Sequence, residues 1–132
     1  MATSSAIVAE AAGRAGAVTF TKWLVGDGPE MAGVVGGIVG EGTYTGQVLD
    51  FRPGEPQVVE ARYGFLGSER SFTALVHVEQ TGKQAVISGV VTDGWGKGRA
   101  VRGTYDEISC EHDGVTTDCW RGALEVAPDD KA

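Results

Sequence analysis

Two tyrosines, Tyr63 and Tyr105, are the residues of this chain best placed to do chemistry if their hydroxyls project into an apolar interior. A phenol turned into an apolar interior can hydrogen-bond a carbonyl oxygen and polarise it without metal or cofactor. Other polar candidates are weaker. Glu60 and Glu79 would be acid or base groups if burial raised their pKa, but strand alternation puts both on polar faces. His77 shares that face with Leu75 and Glu79, as a surface or subunit-contact histidine would. The chain holds two histidines, His77 and His112, and no asparagine, so a three-histidine metal site and a Cys-His-Asn triad are both excluded. No Gly-x-Ser-x-Gly elbow is present. Gly96-Lys97 lacks the rest of a phosphate loop, and no helix follows the glycines at 36–46 to make a dinucleotide site. The acids Asp106, Glu107, Glu111, Asp113 and Asp118 lack calcium-loop spacing and read as a solvated tip.

Cys110 and Cys119 flank Asp113-Gly114, a turn signal. A hairpin reversing there brings the thiols together, which favours a disulfide and an oxidising, secreted or extracytoplasmic location. Two reduced thiols in a cytosolic protein are the alternative. Zinc on Cys110, His112 and Cys119 would lack a fourth ligand.

The elements that must position these groups are strands. From residue 17 on, runs rich in Val, Ile, Thr and aromatic residues alternate with glycine-containing turns: 17–25, a shorter 34–39, 43–51, 57–65, 71–80, 84–92, 99–109 and 119–127. Successive side chains on a strand point to opposite faces. That puts Val59, Ala61, Tyr63 and Phe65 on one face, Phe72, Ala74, Val76 and Val78 on another, and Trp120, Leu124 and Val126 on a third. Seven or eight such strands in one small domain need closure to hide their edges, which predicts an all-β fold, a single closed antiparallel barrel over residues 17–127. A two-sheet sandwich competes, but glycines within the runs, such as Gly46, Gly89, Gly103 and Gly122, suit strongly coiled barrel strands. Residues 1–16, rich in Ala, Ser and Gly, read as a flexible arm or the remainder of a leader, and 128–132 as a tail.

Aromatic residues would fill most of such an interior. Tyr44, Phe65, Phe72 and Trp120 are expected to line a ligand cavity. Trp95, between Gly94 and Gly96 with no strand of its own to pack on, is expected to cap a barrel mouth. With 11 basic against 18 acidic residues the net charge is −7, the wrong sign for nucleic acid or an anionic membrane surface. No apolar run reaches the roughly 18 residues of a membrane helix.

The stretch Gly36-Gly37-Ile38-Val39-Gly40-Glu41-Gly42-Thr43-Tyr44-Thr45-Gly46 resembles the glycine-rich strand motif of the allene oxide cyclase and dirigent barrel superfamily. Val86-Ile87-Ser88-Gly89 and Arg102-Gly103-Thr104-Tyr105 look like further segments of the same kind. The resemblance implies an eight-stranded barrel with an apolar cavity that steers a reactive hydrophobic intermediate without metal or cofactor. The expected activity is therefore a cofactor-free cyclase or isomerase, with Tyr63 and Tyr105 polarising a carbonyl and Trp95 as lid. A non-catalytic carrier or sensor of apolar small molecules is the alternative. The partner in either case is a hydrophobic small molecule, and a homo-oligomer is compatible with both.

Overall fold

In a computed structural model that describes residues 17–24, 30–112 and 115–127, the alternating runs become eight strands: β1 (Ala17–Leu24), β2 (Glu30–Gly37), β3 (Gly42–Arg52), β4 (Gln57–Gly67), β5 (Ser71–Thr81), β6 (Gln84–Gly94), β7 (Ala100–His112) and β8 (Val115–Val126). Each pairs antiparallel with its neighbour in sequence, and β8 returns to β1, so the sheet closes into an eight-stranded barrel. The expected closed barrel is thus present and the sandwich is not. Residues 1–16 and 128–132, assigned to arm and tail, lie outside the described residues.

Period-two alternation decides which residues enter the barrel. Phe72, Ala74, Val76 and Val78 of β5 are buried, as are Ala61, Tyr63 and Phe65 of β4. Leu75, His77 and Glu79 occupy the outer face of β5. Three strands run well past their sequence boundaries. β2 begins at Glu30 rather than at 34, since Met31, Ala32 and Gly33 pair with β1 on one side and β3 on the other. That pairing outweighs a local composition poor in β-branched residues. β7 and β8 extend to His112 and from Val115, pairing Cys110 with Thr117 and Ile108 with Cys119. The two cysteines are therefore diagonal neighbours on the outward face, with Cα atoms 5.8 Å apart, and they form a disulfide. It ties together the longest hairpin of the barrel.

Connections at the two ends differ. Residues 38–41, 68–70 and 95–99 ring one end, together with the start of β1 and the end of β8. At the other end lie 53–56 and the tight turn Gly82-Lys83, where Gly82 takes the positive φ of 63° that the first central residue of a two-residue hairpin needs. Extra residues at Leu49 in β3 and Thr92 in β6 shift the register of their pairs. Beyond Leu49, Phe51 pairs with Val59 and so takes the inward phase at the second end.

Candidate functional site

β1 carries a lysine on its inward face. Val18, Phe20 and Lys22 share one phase, and all three are buried, with Lys22 only 2% exposed. Its Nζ donates a hydrogen bond to Tyr63 Oη at 2.7 Å. The ammonium also sits 4.5 Å from the ring centre of Tyr105, 4.6 Å from that of Tyr63, 5.8 Å from Trp120 and 5.9 Å from Tyr44. Ring faces attract a cation, but less than the water they replace. No carboxylate pairs with Lys22 among the described residues, and burial pushes the amine down to about 7. Charged and neutral forms are thus both populated near neutral pH.

Glycines leave the space for this arrangement. Opposite Lys22 on β2 stands Gly33, which puts no side chain over the lysine stem. A Cβ at Gly46 would run into the Tyr44 hydroxyl, so the missing side chain is what lets the phenol lie along β3 towards the lysine. Gly122, between Phe20 on β1 and Tyr105 on β7, likewise admits both rings, whose centres are 6.5 Å apart.

Around the amine runs a polar layer. Tyr105 Oη donates to Gln80 Oε1 at 3.4 Å, and Gln80 Nε2 donates to Glu107 Oε1 at 3.0 Å and to the Gly82 carbonyl at 2.9 Å. Burial raises the phenols of Tyr63 and Tyr44 well above the usual tyrosine range; Tyr63 and Tyr105 add to the rise at Tyr44, and Tyr105 to that at Tyr63, where the Tyr44 hydroxyl works the other way. Tyr105 is raised by burial and then by the charge of Glu107. All three therefore keep their protons at neutral pH. Among the described residues, the buried Trp120 Nε1 has no hydrogen-bond partner, and the buried Tyr44 Oη has none beyond the neighbouring Tyr63 phenol. Leaving such a group unpaired costs about 1–3 kcal/mol. An amine with one hydrogen bond, beside an unpaired indole N–H and a weakly held phenol, is a donor-rich cluster suited to a carbonyl or carboxylate oxygen.

The cluster lies beneath the end formed by 53–56 and Gly82-Lys83. There, Leu24 of β1 and Phe51 of β3 keep the inward phase but are 50% and 51% exposed, with Val48 and Val59 partly buried between them and the core. Leu24 and Phe51 thus set apolar side chains at this end of the barrel, beyond the polar layer.

Of the residues expected to form the site, Tyr44, Tyr63, Tyr105 and Trp120 do come together, around Lys22. Phe65 and Phe72 lie on the far side, as core. Phe20 packs on Tyr44, Tyr63, Phe65 and Tyr105, and Phe65 stacks at 4.8 Å on Phe72. The interior beyond the lysine is thus filled by rings, where an open apolar cavity had been expected. Trp95 differs most from expectation. It does have strand residues to pack on: its ring meets Phe72 at 6.0 Å and lies against the guanidinium groups of Arg70 and Arg99, at 5.1 and 5.2 Å. The Trp95 backbone N–H donates to the Ser71 carbonyl. Trp95 plugs the end of the barrel opposite Lys22 and is no lid over the tyrosine hydroxyls.

Lys22 was missed because a lysine in a β run is ordinarily assigned to solvent. The signal was its phase, two residues on from Phe20 and four from Val18. On the outer wall, His77 holds Glu60 at 2.6 Å through Nδ1 and Glu79 at 2.9 Å through Nε2. Glu79 first and Glu60 second raise the imidazole above its ordinary pKa. These carboxylates face outward, as alternation requires. Comparison of the chain with protein-family models, with curated proteins and with solved structures finds no match.

Proposed function

We propose that the barrel binds a small apolar molecule through a carbonyl or carboxylate oxygen placed at Lys22 and Tyr63, its hydrocarbon part running out past Trp120 towards Leu24 and Phe51. The observation that carries this reading is a buried lysine with one hydrogen bond and, among the described residues, no carboxylate partner, with the unpaired Trp120 N–H beside it. With a carbonyl compound bound, the Tyr63 phenol polarises the oxygen and the neutral fraction of the Lys22 amine removes a proton from the adjacent carbon. That is the chemistry of a cofactor-free isomerase, in keeping with the cyclase activity implied by the glycine-rich motif. A carrier of apolar carboxylates is the second reading, favoured by the excess of donors, which would hold an anion without reacting with it.

Titration with decan-2-one and with decanoate, followed by tryptophan fluorescence, tests the site. Saturable binding is expected, weakened about tenfold or more, roughly 1.4 kcal/mol, in Lys22→Met. No saturable binding, or equal affinity in the variant, would overturn the reading. Deuterium uptake next to the ketone carbonyl separates isomerase from carrier.

A further inference from the structure

We propose that Lys22 is a covalent capture residue, condensing with an aldehyde or ketone to hold an apolar carbonyl compound as an imine inside the barrel. The inference rests on the binding reading above and goes beyond it, since hydrogen bonding alone would satisfy that reading.

Three features set Lys22 apart. Its amine has no carboxylate to hold it protonated, whereas a lysine kept for structure is paired or solvated. Rings of Tyr63, Tyr105 and Trp120 surround it, a water-poor shell in which an imine is protected from hydrolysis. A proton donor stands at 2.7 Å, the Tyr63 hydroxyl. By contrast, Lys83 and Lys97 are exposed. The amine's lowered proton affinity, from burial, supplies the neutral form that attack requires.

The atoms balance without a further reactant. The Nζ lone pair bonds to the carbonyl carbon while the C=O π pair moves to oxygen, which takes the Tyr63 proton. The nitrogen returns a proton to the Tyr63 phenolate, leaving a neutral carbinolamine. Its nitrogen lone pair then forms C=N as the hydroxyl departs as water with the Tyr63 proton, and the iminium nitrogen gives its proton back to Tyr63. One amine and one carbonyl compound become one imine and one water. Tyr44 Oη and Trp120 Nε1, both buried, are the nearby groups able to receive the oxygen as it changes from carbonyl to hydroxyl.

The test is reductive trapping. The full chain is incubated at pH 7 with cinnamaldehyde and sodium cyanoborohydride, then weighed intact and mapped by peptide mass spectrometry. One adduct on Lys22 is expected, formed at least tenfold faster than at Lys83 or Lys97, and slowed about tenfold in Tyr63→Phe. Mapping on the unaltered protein keeps the test valid even if Lys22→Met fails to fold. Saturable quenching of tryptophan fluorescence by cinnamaldehyde, with adducts only at Lys83, Lys97 or the N-terminal amine, would overturn the imine and leave the binding reading standing. Absence of both quenching and adduct at Lys22 would overturn the two together.

Discussion

Lys22 is where local chemistry and folding oppose each other most directly. Burying a lysine among aromatic rings penalises its charged form, and the fold accepts that penalty below the folded pKa of about 7. The unfolded chain keeps the proton until about pH 10.5, so between those values the unfolded state binds more protons than the native state and stability rises with pH. Wild type is therefore expected to gain about 2–3 kcal/mol between pH 7 and 9 relative to Lys22→Met, at about 1.4 kcal/mol per pH unit. Chemical denaturation of both proteins at the two pH values checks this. A parallel pH dependence in both would show that Lys22 does not titrate differently on folding.

At the scale of the strands, close fit between glycines and rings positions the site. Gly46 is the clearest case, because a methyl group there meets the hydroxyl of Tyr44, two residues earlier on the same inward face, and the end of Met31. Gly46→Ala is expected to cost about 1–3 kcal/mol by overpacking. The loss should shrink in Tyr44→Phe, which removes the colliding oxygen, and a thermal-unfolding double-mutant cycle measures that coupling. Much at this scale was legible in the sequence: alternation assigned the faces of β4 and β5, and the Asp113-Gly114 signal located the hairpin bridged by Cys110 and Cys119. The start of β2 was not, because Glu30-Met31-Ala32-Gly33 becomes a strand only through neighbours distant in sequence. Lys22 was missed for a related reason. Its phase was plain, but the typical cost of burying a lysine argued against following the phase.

As a whole, the barrel is packed with rings at one end and carries its polar layer near the other. Trp95, Phe72 and Phe65 pack the end ringed by 38–41, 68–70 and 95–99, while Lys22, Gln80, Glu107 and Trp120 make a polar layer near the opposite end. The sequence suggested one aromatic-lined cavity with Trp95 across its mouth. It could not place Trp95, since Phe72 and Arg70 reach it only across the β5–β6 pairing of Phe72 with Gly94, and Arg99 only through the fold of its own connection. Trp95→Ala is now expected to cost about 2–4 kcal/mol of stability, from lost ring packing and cation–π contacts. Affinity for decan-2-one should stay within about twofold of wild type, because the proposed site lies at the other end. A large loss of affinity with stability unchanged would restore the lid role and move the site to Trp95.

The barrel interior holds an amine that burial poises between its charged and neutral forms. Proton titration of Lys22, followed by NMR of the 13Cε signal in protein labelled at lysine and assigned with Lys22→Met, measures this directly. A midpoint near 7 is expected. A midpoint near the ordinary lysine value of about 10.4 would mean that water or an anion reaches the amine, and would contradict the account.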